Sequence, residues 1–452
     1  MASLQFDLIV IGGGSGGLAG AFRAARHGAR VALLEPAALG GTCVNVGCVP
    51  KKAMWLAADV AHRLRLAERL GFAQPQDVTL DWPELIASRQ RYIAGIHASY
   101  RARLDEAGIV ALPTRGRLQS PRSVIGDDGT VLNAPHILIA TGAHATRPDI
   151  PGAELAIDSD GFFGLCAAPP RVAVIGGGYI AVELGCQLQA LGSRVDLFVR
   201  DERLLPAFDA DLTGQLAADM RHHGSRIHFD ERVSGLQRSS EGGLRLQGVT
   251  ACADATFDTV LFATGRRANT ADLGLEALAV ETDDRGRICV DAFQDTSIDG
   301  IHAVGDVTHQ VALTPVAIAA ARRLMDRLFG GDAKACVQLD AVPTVVFAHP
   351  PLAKIGLTEA EAREQHGDAV QVFTSRFRPM LHALAESPQR SLFKLVCVGN
   401  DRRVVGIHLL GEGADEILQG FAVALRSGIT LHDLHDTLAI HPTSAEELVL
   451  MG

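Results

Sequence analysis

Two cysteines, Cys43 and Cys48, stand five positions apart in residues 40–52 (GGTCVNVGCVPKK). A thiolate is the nucleophile of thiol–disulfide exchange, so a close pair is suited to redox work on disulfides. On an ideal helix the two would lie about 7.5 Å apart along the axis, whereas a disulfide accepts Cα separations of roughly 4.4–6.8 Å. A helix that carries this pair must be distorted, and Gly47 offers the backbone freedom for it. Zinc binding and two unrelated buried thiols are the competing readings, although no second Cys or His pair follows at ligand spacing. The other cysteines (Cys166, Cys186, Cys252, Cys289, Cys336 and Cys397) are scattered singly in apolar or strand-like surroundings and read as buried thiols. That distribution favours redox or metal chemistry over a disulfide framework.

Two segments have the grammar that binds dinucleotides: a short apolar strand, a glycine-rich turn, a helix and a second strand. They are residues 6–35 (FDLIVIGGGSGGLAGAFRAARHGARVALLE) and residues 171–200 (RVAVIGGGYIAVELGCQLQALGSRVDLFVR). The first carries Gly12-x-Gly14-x-x-Gly17, whose glycines allow a tight turn and a close backbone approach to a pyrophosphate at the helix N-terminus. Glu35 ends its second strand, where a carboxylate can accept ribose hydroxyls. The second carries Gly176-x-Gly178-x-x-Ala181 and ends on Arg200 instead. An arginine there holds a 2′-phosphate that a carboxylate would repel. The first site suits FAD and the second NADPH.

Residues 136–142 (HILIATG) and 259–266 (TVLFATGR) are apolar strands that each end in Ala-Thr-Gly, and residues 147–152 (RPDIPG) are a plausible crossing between domains. From Asp340 the pattern changes to strands over 342–347 and 392–398 and helices over 358–365 and 414–427, an α+β domain with no glycine fingerprint. A chain of 452 residues exceeds one core. The expected fold class is α/β, with two Rossmann-like dinucleotide-binding domains and a C-terminal α+β dimerisation domain. The expected boundaries are 1–142 and 268–339 for the FAD-binding part, 143–267 for NADPH and 340–452 for pairing.

The formal net charge of −10 argues against a nucleic-acid partner. Positive charge is nearly all arginine, since Lys51, Lys52, Lys334, Lys354 and Lys394 are the only lysines. No stretch reaches the ~18–20 apolar residues of a membrane span, and residues 1–6 lack the basic start of a signal peptide. The expectation is a cytoplasmic protein without membrane partner or metal.

The cysteine segment, HILIATG, IDSDGFF (157–163), GGGYIAVEL (176–184), IHAVGDV (301–307), LTPVAIAA (313–320), PTVVFAHPP (343–351) and HPTSAEE (441–447) run in order along nearly the whole chain. Together they resemble the pyridine nucleotide–disulfide oxidoreductases, most closely the members that reduce glutathione disulfide with NADPH. The resemblance implies a homodimer in which Cys48 faces the flavin and Cys43 attacks the substrate disulfide. It implies an ion pair of Lys51 and Glu183 near the hydride-accepting position, with Lys52 an alternative for Lys51. His441, held by Glu446, would be the acid–base partner of Cys43; the surrounding motif outweighs the ordinary reading of a lone histidine as structural.

Further roles follow from the same resemblance. FAD would be held by the first fingerprint with Ser15, Gly16, Glu35, Thr42, Lys51, Thr141 and Gly142, and by Asp306 and Thr314. NADPH would meet Gly176, Gly178, Ile180, Ala181, Arg200, Arg203, Gly265 and Val345, with Tyr179 covering the nicotinamide pocket. Ser15, Tyr92, Tyr100, Arg103 and Arg322 would face the disulfide substrate. Three positions depart from the common pattern: Pro206 stands where a second nucleotide-binding arginine is frequent, Phe22 replaces a polar or basic residue, and Leu381 replaces an aromatic. The alternatives are a related low-molecular-weight disulfide as substrate, or dihydrolipoamide oxidation toward NAD⁺.

Overall fold

The apolar run Leu8–Ile11 forms a strand whose side chains point alternately into two cores. A computed structural model of the chain describes residues 4–73, 78–240 and 242–452. It divides into two compact units, the first made of Met1–Lys51, Ile86–Thr146 and Gly265–Leu339. The central sheet of this unit is parallel, in the order Ile301–Ala303, His136–Ile139, Leu8–Ile11, Val31–Leu34, Val110–Leu112. Leu8 and Val10 pack with Leu18, Ala21 and Leu324 of the helices Ser15–Arg26 and Thr314–Phe329. Ile9 and Ile11 pack on the opposite face with Leu118, Val124 and Leu132 of a smaller four-stranded sheet. Burial on both faces explains why the strand reads as continuous hydrophobicity rather than alternation.

The second unit comprises Lys52–Leu85, Arg147–Thr264 and Asp340–Gly452. Its parallel sheet runs Arg226–His228, Arg194–Phe198, Arg171–Ile175, Thr259–Phe262, with the helix Tyr179–Ala190 following the second glycine turn. Its antiparallel sheet has the order Thr344–Val346, Leu352–Gly356, Arg403–Leu410, Ser391–Val398, Val370–Phe377. One face of that sheet packs Ile355, Leu395 and Leu409 against Leu418 and Ala422 of the helix Ala414–Arg426. The expected strands and helices of the C-terminal part are thus present, displaced by one or two residues at most of their ends, where end fraying is usual. Among the described residues, no helix is long and apolar enough to cross a membrane.

A buried lysine fastens this second unit internally. Lys394, only 2% exposed, donates to Asp209 at 2.8 Å, Asp211 at 2.6 Å and Glu359 at 3.0 Å. Burial works against its charge, but the three carboxylates win and raise its pKa. Asp209 is buried too and caps the helix Ala210–His222 by accepting from the Asp211 amide. Lys394→Met would leave the Asp209 carboxylate buried without its cation, and should cost about 3–5 kcal/mol in denaturant unfolding. A loss below about 1 kcal/mol, the size of an exposed pair, would refute this role.

Candidate active site

The helix around the cysteine pair is broken, as the disulfide geometry demands. Gly41–Asn45 is one short helix and Cys48–Ala67 another, with Val46 between them at φ −142°, ψ 38°. Gly47 does not adopt a left-handed conformation, which corrects the expectation from its flexibility. A Cβ at this position would stand 2.7 Å from the Thr42 carbonyl oxygen and 3.3 Å from the Cys43 Cα. Glycine is needed because the two helices approach so closely.

Cys43 is half-buried and Cys48 exposed. A hydrogen bond from the Cys48 thiol lowers the Cys43 pKa to about 6; burial opposes this, while the hydroxyls of Thr314 and Ser15 and the charge of Lys51 assist. The same contact, followed by burial, pushes Cys48 far above the ordinary thiol value. Thr314 Oγ1 lies 3.7 Å from Cys48 Sγ. One proton leaves this pair readily and the other is retained, so the pair titrates as a unit. Lys52, the alternative to Lys51, is committed elsewhere: its Nζ pairs with Asp415 at 3.1 Å and sits 3.8 Å over the Trp55 ring.

Cys43 and Thr314 line a groove together with Gly14, Ser15, Gly16, Glu35, Thr42, Thr141, Gly142 and Asp306. Gly12 has φ 108°, and a Cβ there would come 2.4 Å from the Ala140 carbonyl oxygen; one on Gly17 would come 1.9 Å from the Gly12 carbonyl oxygen. The helix Ser15–Arg26 has neither a side-chain cap nor an acidic residue in its first turn, so its leading amides suit an anion. Glu35 is held beside them, accepting from the amides of Gly13 at 2.7 Å and Ala37 at 2.8 Å. Burial raises the Asp306 pKa against the pull of Arg266, whose Nε lies 3.9 Å away. Thr141 donates to the Asn269 carbonyl at 2.8 Å. A carboxylate for ribose, amides for a diphosphate and the Cys43 sulfur in one lining fit FAD.

The second fingerprint has a looser third position. Gly176 has φ 137° and would clash with the Ala263 carbonyl oxygen at 2.4 Å, yet the Ala181 methyl is accommodated there, fully buried. Gly178 has open space where its Cβ would be, and Tyr179 beside it is exposed. Ile180 follows on the same helix, and the buried Glu183 accepts from the Phe347 amide at 2.8 Å. Val345 lies in the strand Thr344–Val346. Arg200 is exposed, 3.0 Å from Asp201. Arg203 instead donates into its own loop, to the carbonyls of Phe208 at 3.2 Å and Pro206 at 2.6 Å. Gly265, at φ 136°, is grouped with the first unit.

Among the expected substrate residues, Tyr92 is exposed, while burial and then the neighbouring Cys43 raise the pKa of Tyr100. Arg103 places its guanidinium 4.5 Å over the Phe22 ring. These two line a hollow with Arg322 and with Arg26, which sequence reasoning missed. Its signal was present, since Arg26 follows Phe22 by four residues on one helix and shares its face. Arg23 borders the same hollow, but its charge is tied to Asp326 at 2.5 Å. In the second unit, His441 Nδ1 meets Glu446 Oε2 at 2.9 Å, with the imidazole largely exposed and the carboxylate mostly covered. Leu381 lies on the short helix Met380–Leu384 and lines a cavity of that unit.

Residues 6–321 match the family described as pyridine nucleotide-disulphide oxidoreductase, and residues 342–451 match its dimerisation domain. The chain belongs to the pyridine nucleotide-disulphide oxidoreductases, with two dinucleotide-binding domains and a C-terminal dimerisation domain. Its similarity then narrows to particular relatives. It is 42% identical over 462 residues to a glutathione reductase of Schizosaccharomyces pombe, covering 99% of both chains. It is 43% identical over 469 residues to a glutathione reductase of Yarrowia lipolytica, covering both completely.

The sulfur geometry sets a pH profile. In the reduced protein, alkylation of Cys43 should rise with a midpoint near pH 6, because only its thiolate reacts. Cys48→Ala removes the hydrogen-bond donor and should move the midpoint toward the ordinary value of about 8.5. Peptide mapping by mass spectrometry reads both; equal reactivity of the two cysteines across the range would contradict the arrangement.

Proposed function

We propose that the chain is the subunit of a homodimeric, cytoplasmic glutathione-disulfide reductase that uses FAD and NADPH. The observation that carries this reading is the easily ionised Cys43, hydrogen-bonded by Cys48, in the lining of an FAD-compatible groove. Full-length similarity to two glutathione reductases supports the choice of disulfide. Arg26, Arg103 and Arg322 around one hollow add the positive charge that an anionic substrate needs. The scattered free cysteines support a reducing compartment.

Bound in the groove, FAD supplies the two-electron link between the nicotinamide and the Cys43–Cys48 pair. The protein's own steps are exchange reactions. The Cys43 thiolate attacks one sulfur of glutathione disulfide, forming a mixed disulfide, and His441 protonates the departing glutathione thiolate. With Cys43 held in the mixed disulfide, Cys48 no longer shares its proton with a neighbouring thiolate; it passes the proton to the now neutral His441 and attacks Cys43, which re-forms the internal disulfide and releases the second glutathione. Glu446 holds the His441 ring and fixes its tautomer. Lys51 stabilises negative charge at the sulfur pair, Glu183 serves the nicotinamide side, and Tyr179 swings aside for NADPH. Residues 1–142 and 268–339 bind FAD, 143–267 bind NADPH and 340–452 pair the subunits.

Substrate choice is tested by comparing NADPH-driven reduction of glutathione disulfide with that of lipoamide and a cationic disulfide. Glutathione disulfide should have the highest kcat/KM. Since Arg203 is engaged by its loop, discrimination rests on Arg200, and Arg200→Ala should cost about 2–3 kcal/mol of kcat/KM for NADPH while sparing NADH. Preference for lipoamide, or equal use of both nucleotides by the unsubstituted enzyme, would overturn the reading.

The exposed imidazole of His441 sits beside Leu438, 94% exposed, and Ile440, 76% exposed, an apolar surface suited to burial by a second subunit. Each active site would then combine Cys43 of one chain with the histidine of the other. Refolding inactive Cys43→Ser together with inactive His441→Ala should yield about half hybrid dimers, each with one working centre, and roughly a quarter of full activity. Hybrids that form without any activity would put both groups in one chain.

A further inference from the structure

Three side chains outside the machinery described above converge on the nucleotide-binding sheet of the second unit. Asp196 lies in the strand Arg194–Phe198, His228 ends the neighbouring strand Arg226–His228, and Cys252 sits in the loop after the hairpin strand Leu244–Gln247. Asp196 Oδ1 is 2.8 Å from His228 Nε2, and Cys252 Sγ is 3.8 Å from that oxygen and 3.9 Å from that nitrogen. A proton relay through histidine would put the carboxylate and the thiol on opposite ring nitrogens. Here both meet Nε2, the arrangement of a chelate.

We propose that Asp196, His228 and Cys252 form a zinc site with three protein ligands and one open position. Zinc bonds of about 2.3 Å to sulfur and 2.0–2.2 Å to nitrogen and oxygen, set tetrahedrally, separate ligand atoms by about 3.4–3.6 Å. The sulfur, 3.8 and 3.9 Å from its partners, already lies within about half an ångström of that spacing, and the oxygen–nitrogen pair at 2.8 Å has to open by about 0.6–0.8 Å to admit the ion. Sulfur with imidazole selects zinc over magnesium or calcium, which take oxygen ligands.

The surroundings hold the ligands in place. Arg226 donates to the other oxygen of Asp196 at 2.6 Å, which leaves Oδ1 directed at the histidine. The His228 ring stacks on Phe198 with centroids 4.9 Å apart. Glu231 accepts from the amides of Thr250 at 2.9 Å and Ala251 at 2.7 Å, pinning the loop just before Cys252. As the sulfur–zinc bond forms, the Cys252 thiol releases its proton to solvent, and His228 offers its Nε2 lone pair with the ring proton on Nδ1. The site braces two strands beside Arg200, because the Val199 amide donates to the His228 carbonyl at 2.8 Å.

The test uses the full-length chain carrying Cys43→Ser and Cys48→Ser, which removes the competing thiol pair. Cobalt(II) should bind stoichiometrically with a thiolate-to-cobalt absorption band. Cys252→Ser in this background should abolish the band, and His228→Gln should weaken binding by more than about tenfold. In the unsubstituted, folded chain, zinc should protect Cys252 from iodoacetamide, while Cys166, which is exposed and not buried as its sequence surroundings suggested, stays reactive. Undiminished cobalt binding after Cys252→Ser, or unchanged alkylation of Cys252 with zinc present, would overturn the proposal.

Discussion

A single hydrogen bond between two sulfurs governs the chemistry of this site, and much of the surrounding structure exists to make that contact. The Cys48 thiol stabilises a thiolate at Cys43, against the cost of partial burial. Five residues of regular helix would hold the sulfurs apart, so the backbone breaks at Val46 and closes again at Cys48. The break works only because Gly47 has no side chain to meet the Thr42 carbonyl. Ser15 and Thr314 reach the same sulfur from the starts of two helices that pack on one face of the parallel sheet.

The two dinucleotide turns show how one motif tolerates different residues. At the first, a methyl on Gly17 would strike the Gly12 carbonyl, so glycine is compulsory. At the second, the Ala181 methyl fits and is fully buried. The residue after each unit's second strand differs in charge: Glu35 is fixed by amides, whereas Arg200 lies at the surface beside Asp201. A carboxylate held this way accepts hydroxyls and repels phosphate, and a guanidinium attracts phosphate.

Charge also gathers around a hollow of the first unit. Phe22 is apolar, yet the helix Ser15–Arg26 does not lose its positive face. Its ring carries the Arg103 guanidinium, and Arg26 lies one turn further along the same helix. The positive field is assembled from three separate segments, and the aromatic residue serves as its platform.

Sequence alone determined the parts whose physics is local. Glycine spacing, strand periodicity and the terminal acid or arginine of each βαβ unit depend on neighbours in the chain, so both nucleotide-binding units, the broken cysteine helix and the C-terminal α+β domain were legible there. The strand pairings of residues 116–133 and the long helix Trp82–Glu106 carry no motif of that kind. Tertiary structure decided everything that depends on distant residues meeting. It showed that Lys52 is taken up by Asp415, that Arg203 is tied to its loop, that Arg26 joins the arginines, and that Gly47 serves packing. It also brought Asp196, His228 and Cys252 within 4 Å of one another. Hydrogen bonds and ion pairs act over a few ångströms, and residues far apart in sequence reach that range only after the chain has folded.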